Sequence, residues 1–92
     1  MNNQILFIYE SKSLFDIFSE IEDNLNFKVL YFTKKEVSKI NFKNYRDYLI
    51  LSLKDLDLSN ILLIENFPIK FSKLLERINI EFLKKNFNEQ SN

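Results

Sequence analysis

Three side chains stand where an alternating strand-and-helix chain most often does its chemistry: Glu10, Ser52 and Glu65, each at or just past the end of a short apolar run. In an open parallel α/β sheet such strand ends converge on the ligand crevice. A carboxylate, a hydroxyl and a second carboxylate gathered there can hold a cation or a small polar ligand. The rest of the composition gives this set little support. The 92 residues include no His, Cys, Gly or Trp. That excludes an ordinary zinc site, a thiol nucleophile, a His-dependent triad, a phosphohistidine, and a P-loop or GxGxxG phosphate cradle. Two carboxylates with no His or Asp support make a poor magnesium site. Glu10, Ser52 and Glu65 are therefore read as ordinary polar strand-end residues, and Tyr9, Tyr31, Tyr45 and Tyr48 as core or rim. A protein without catalytic activity, cofactor or metal is expected.

The wider composition is consistent with a binding or regulatory role. A chain of this length makes one small domain. The 13 basic and 13 acidic residues cancel, which argues against a strong nonspecific grip on nucleic acid. The charge is uneven, since Glu10, Asp16, Glu20, Glu22 and Asp23 against Lys12 and Lys28 leave residues 1–33 at −3 and the remainder at +3. The longest apolar run, Ile5 to Tyr9, is too short for a membrane span or a signal-peptide core, so a cytoplasmic location is expected. No disulfide can form. The abundance of Asn, Lys, Ile and Phe, with no Ala, fits an AT-rich genome, so single Asn and Lys residues carry little functional weight.

The elements that must position these residues alternate. Residues 4–9 read as a buried strand. Ser13 looks like an N-cap with Asp16 in the capping-box place. Leu14, Ile17, Phe18, Ile21 and Leu25 then recur at helical spacing, which predicts a helix over 14–24 with an acidic outer face, closed by Asn24 and Asn26. Residues 27–32 form a second strand. Thr33 and Glu36 make another capping-box pair before a short, weaker helix over 34–40, and 41–47 reads as polar loop. Strands follow at 48–53 and 61–65. Pro68 stops the chain before a last helix over 70–87, and the tail 88–92 reads as the start of a linker.

Strand–helix alternation favours a parallel sheet with helices on both faces. Only residues 54–60 join the third and fourth strands, fewer than a parallel crossover normally needs. Seven extended residues reach roughly 23 Å, about one strand length, so a helix-free parallel return is feasible. An antiparallel fourth strand is the rival.

The last helix is apolar on two sides. At about 100° per residue, Phe71, Leu74, Leu75, Ile78 and Phe82 fall within roughly 100° of one another and form a core stripe. Ile80, Leu83 and Phe87 cluster roughly 120–180° away from Phe71. Leaving three such side chains in water forfeits roughly 1.5–3 kcal/mol each, so this side is read as a contact surface for a second copy or a following domain. Lys70, Lys73, Arg77 and Lys84 form a basic stripe on the same helix. That stripe and the stretch Lys34, Lys35, Lys39, Lys43 and Arg46 are both read as solvated faces.

The runs Ile5-Leu6-Phe7-Ile8-Tyr9-Glu10-Ser11 and Asp47-Tyr48-Leu49-Ile50-Leu51-Ser52, with a capped helix between the sheet strands, resemble the receiver domain of bacterial response regulators. Phe67-Pro68-Ile69-Lys70-Phe71 and the helix after it look like a receiver's last strand-to-helix junction, where Lys-Pro-Phe precedes a helix ending in a linker. The chain resembles the front domain of short OmpR/PhoB-type regulators of AT-rich alphaproteobacteria, in which a winged-helix DNA-binding domain follows. The resemblance implies a small flavodoxin-like or receiver-like four-stranded parallel sheet, order 2-1-3-4, lacking one helix-strand-helix unit between Leu53 and Ile61. It also implies that residues 1–87 are one domain and that the phosphoacceptor pocket is degenerate. Glu10 keeps one place of the acidic pair and Ser11 fills the other, Ser52 stands at the phosphoacceptor Asp, and Phe67 at the Lys. Aspartyl phosphorylation needs the carboxylate nucleophile and a magnesium held by acids, so no phosphorylation on Asp is expected. The Phe67–Pro68 bond is open to cis or trans.

The resulting expectation is a non-catalytic regulatory and dimerisation module of a response-regulator-like transcription factor. The last helix would pair two copies or dock on a following domain, DNA would be contacted only through a downstream domain, and no membrane is involved. The alternatives are a stand-alone protein–protein adaptor using the same helix, or a small-ligand or cation sensor at Glu10, Ser52 and Glu65.

Overall fold

The computed structural model describes residues 4–65 and 69–90, with the side chains of 86–90 outside the description. Four strands, β1 (Gln4–Tyr9), β2 (Lys28–Phe32), β3 (Asp47–Ser52) and β4 (Ile61–Leu63), form one sheet in the order β2-β1-β3-β4. All three pairings are parallel, with Leu6 opposite Val29 and Leu49, and Leu51 opposite Leu62. The chain thus has the flavodoxin-like α/β arrangement, and the antiparallel alternative for β4 does not occur. Central β1 and β3 read as unbroken apolar runs because both of their faces are covered.

The covers differ. The α-helices α1 (Lys12–Glu20) and α2 (Phe71–Gln90) share one face, where Phe18, Leu74, Ile78 and Phe82 close on Leu6, Ile8, Leu49 and Leu51. The Phe18 ring meets Phe71 at 4.9 Å, and Phe27 meets Phe82 at 5.6 Å. On the other face Phe7, Tyr9, Phe32 and Ile50 lie under 3₁₀ turns at Val37–Lys39 and Phe42–Asn44 and under the β3–β4 connection. Phe7 is the hub there, with Phe42 at 5.2 Å, Tyr45 at 5.1 Å and Phe32 and Tyr48 at 5.9 Å.

Several local expectations are corrected. Glu10 adopts a positive φ of 55° and turns the chain at once. The first helix therefore starts at Lys12 with Ser11 at its N-cap, not Ser13, and Asp16 pairs with Lys12 at 2.8 Å instead of closing a capping box. That helix ends at Glu20, not Asn24. The Glu22 carboxylate accepts the Val29 N–H at 2.9 Å, which ties it to the β2 strand, and residues 22–24 tighten into a 3₁₀ turn. The segment 34–40 holds no α-helix. Thr33 and Glu36 do bond reciprocally, with the Thr33 N–H and Oγ each donating to Glu36 Oε1 at 3.1 Å and the Glu36 N–H donating to the Thr33 carbonyl at 3.0 Å. With only Val37 and Ile40 to bury, the pair closes a turn followed by one 3₁₀ turn. The fourth strand is three residues long, and α2 begins at Phe71 and runs to Gln90, past Phe87.

The short parallel return from β3 to β4 needs no helix because its own residues cover the sheet. Leu56 and Leu58 pack on the Phe7 face. Asn60, at φ 62°, swings the chain into β4, and its carbonyl accepts the Ile50 N–H at 2.8 Å. Asn tolerates this left-handed conformation better than most residues, and the chain has no Gly to place there.

Candidate functional site

The crevice at the C-terminal ends of β1 and β3 is small. A cleft of about 140 Å³ is lined by Tyr9, Glu10, Leu53 and Lys54. Glu10 is exposed, but its carboxylate Oε2 accepts the Lys34 N–H at 2.9 Å while its own N–H donates to the Phe32 carbonyl at 2.9 Å. The residue clamps the end of β2 beside β1. Beside it, Tyr9 is 8% exposed. Burial, reinforced by the nearby Glu10 charge, pushes the Tyr9 hydroxyl above its ordinary pKa of 10.0.

Ser52 is 1% exposed, a polar residue buried in the core. Its Oγ donates to the Lys54 carbonyl and accepts the Lys54 N–H at 3.0 Å. Both bonds start the β3–β4 turn, a local side-chain-to-backbone motif that satisfies a hydroxyl otherwise costly to bury. Ser11 is half-buried at the α1 N-cap, where its carbonyl accepts the Phe15 N–H at 3.0 Å and its side chain makes no capping bond. Glu65 is exposed beyond β4 and does not line the cleft. Glu10 and Ser52 thus serve the backbone around them, in keeping with their reading as ordinary polar strand-end residues. The alternative of a ligand site shared by Glu10, Ser52 and Glu65 is not assembled, because Ser52 turns inward to its own loop and Glu65 lies outside the cleft. Phe67 lies outside the described residues. Among the described residues no three acidic side chains gather into a group that can hold a metal ion.

The second candidate surface is the outer side of α2. Its inner stripe is core, with Leu74, Ile78 and Phe82 at most 2% exposed. On the outer side Ile80 is 42% and Leu83 67% exposed, while the Phe87 side chain lies outside the description. Arg77 leans to one flank and donates to the Leu63 carbonyl on the β4 edge at 3.3 Å. Lys84 pairs with Glu81 at 3.5 Å. No described helix is long and apolar enough to cross a membrane.

One exposed apolar residue of the same sheet face lies on α1 and is not set apart by the sequence pattern. Helical spacing groups Ile17 with the apolar stripe of α1, yet it is 45% exposed. The helical angle carried the signal: Ile17 lies about 100° from fully buried Phe18, at the flank of the stripe rather than its centre. The Lys34 and Lys54 N–H groups, which engage Glu10 and Ser52, leave no mark in a side-chain pattern.

Comparison with protein-family models, with curated proteins and with solved structures gives no match for this chain.

Proposed function

We propose that the chain is a non-catalytic regulatory and dimerisation module, a degenerate and shortened receiver-like domain of a cytoplasmic response-regulator-like transcription factor. It takes no phosphate on Asp, and DNA is contacted by a winged-helix domain beyond it. The observation that carries this reading is the two-sided last helix. A helix whose inner stripe is core and whose outer side keeps Ile80 and Leu83 in water is suited to packing on a further surface. Burying what remains exposed of those two side chains would contribute roughly 0.5–2 kcal/mol each.

The strand order, the two α-helices on one face and the position of Ser52 support the receiver-like part. At the place of a phosphoacceptor the hydroxyl is buried and engaged with Lys54, a structural use rather than a nucleophilic one. The mechanism is mechanical: pairing two copies sets the distance between two DNA-reading units, and half-site spacing follows from dimer geometry.

Leu83→Asp tests the reading. Sedimentation equilibrium should show a smaller dimer fraction than wild type at equal concentration, with an unchanged far-UV circular dichroism spectrum. A wild-type dimer whose mass is unaltered by Leu83→Asp would remove α2 as the contact.

A further inference from the structure

The two α-helices form a layer with opposite charges on its halves. Both helices lead away from a strand of a parallel sheet and run back along it. The ring contacts Phe18–Phe71 and Phe27–Phe82 place them side by side in the same sense. The helix α1 carries Asp16 and Glu20 against Lys12, a net −1, and the 3₁₀ turn after it adds Glu22 and Asp23. Residues 70–85 carry Lys70, Lys73, Arg77, Lys84 and Lys85 against Glu76 and Glu81, a net +3. Lys12, Asp16 and Glu20 on α1 are exposed, as are Lys70 just before α2 and Lys73, Glu76, Arg77 and Lys84 on it, so the exposed faces keep opposite net signs.

The exposed apolar residues border the groove between the helices. Ile17 is on the flank of α1 opposite Phe15, and Phe15 meets Tyr31 of edge strand β2 at 5.6 Å, so the Ile17 flank faces α2. Leu83 is on the flank of α2 away from Arg77, which reaches the β4 edge, and it lines a cleft of about 200 Å³ with Gln4, Asn26, Asn79 and Phe82. Ile80, about 180° from Phe71, points straight out of the layer.

Two such layers can meet face to face in two symmetric ways. A two-fold axis across the helices puts α1 on α1 and α2 on α2, acid on acid and base on base. An axis along the helices puts α1 of each copy on α2 of the other, acid on base twice, and turns Ile17 and Leu83 of both copies toward the centre of a four-helix layer. We propose that the occupant of this face is a second copy of the chain in the latter arrangement. The inference rests on the dimerisation reading above and specifies which surfaces meet. The helices are about 13 and 30 Å long and about 10 Å across, a footprint of about 400 Å² per copy and about 800 Å² in total, below the roughly 1,000 Å² that a stable specific interface needs. The dimer is therefore weak and salt-sensitive.

Sedimentation equilibrium on the full chain and two charge-reversed forms tests the arrangement. Asp16→Lys/Glu20→Lys makes α1 basic, and Lys73→Glu/Lys84→Glu makes α2 acidic. Each form alone should dimerise about tenfold more weakly than wild type, and an equimolar mixture should recover the association, because each helix then again meets its opposite. Ile17→Gln, a neutral change at an exposed position, should weaken the dimer by about threefold or more while the circular dichroism spectrum stays that of wild type. If wild type dimerises and the α1 reversal and Ile17→Gln leave it unchanged, this arrangement is overturned, while pairing through α2 alone stands. A wild type that stays monomeric to millimolar concentration overturns both.

Discussion

On the α1–α2 face each helix gives one stripe to the sheet and keeps another in water; on the opposite face the 3₁₀ turns and the Leu53–Asn60 connection turn Val37, Ile40, Phe42, Tyr45, Leu56 and Leu58 toward Phe7 and its neighbours. The contrast follows from geometry. A helix distributes its side chains around a full circle, so burying one stripe always leaves another to be polar or to find a partner. A single layer of tight turns has less of a back: Leu53, at the start of the connection, stays 45% exposed, while Val37, Ile40, Phe42, Tyr45, Leu56 and Leu58 go inward. The helical face is thus the one fitted for association. The aromatic face is the one whose closure depends on a few specific contacts.

The largest effect should come from breaking the aromatic hub. Phe7 is 2% exposed and lies in ring contact with Phe32, Phe42, Tyr45 and Tyr48, mostly edge to face. Phe7→Ala removes the ring on which four others close, and it should destabilise the fold by about 3–5 kcal/mol in urea unfolding. Leu83→Asp, by contrast, should move the unfolding free energy by no more than about 0.5 kcal/mol at concentrations where the chain is monomeric. If the two substitutions cost the same, the division between a stability face and an association face fails.

The same contrast decides how much could be read in the residues beforehand. Periodicity located α2 to within a residue at its start and sorted Phe71, Leu74, Ile78 and Phe82 inward from Ile80 and Leu83, because a helix writes its burial into spacing. The four strands were visible as apolar runs bounded by polar residues. The 34–40 segment was misjudged because a Thr33–Glu36 pair serves a turn as well as a helix, and only longer periodicity separates the two. The strand ends show a different limit. Residue type placed Glu10, Ser52 and Glu65 at strand ends, but whether a carboxylate or hydroxyl faces the crevice depends on which backbone N–H groups lie near it. Those of Lys34 and Lys54 are fixed by loop conformation, which leaves no signature in side-chain order.

A middle-sized effect should come from Asn60, the hinge that brings the aromatic-face cover into β4. At φ 62° a β-branched side chain collides with the backbone, and Asn60→Val should cost about 1–3 kcal/mol in urea unfolding. Asn60→Gly should be neutral within about 1 kcal/mol, since Gly takes this conformation freely but gives the unfolded chain more freedom. An Asn60→Val protein as stable as wild type would mean that the connection holds the sheet through Leu56 and Leu58 alone.

The smallest expected effect concerns how dry the aromatic face is. Tyr9 closes its top, and its hydroxyl ionises above 10.0 first because of burial and second because of the Glu10 carboxylate. An ionisation held above its unfolded value means that the folded chain keeps the proton longer than the unfolded one. The associated stability is whole below about pH 10 and is lost as pH climbs from there through the folded value. Urea midpoints measured between about pH 9 and 11 should therefore decline for wild type and decline less for Tyr9→Phe, which has no proton to lose at this position. Glu10→Gln removes only the lesser cause and should bring the Tyr9 ultraviolet titration partway back toward the ordinary range. A Tyr9 titration at the ordinary value in wild type would mean that water reaches the hydroxyl, and that the aromatic face is open at the strand ends where the helical face is closed.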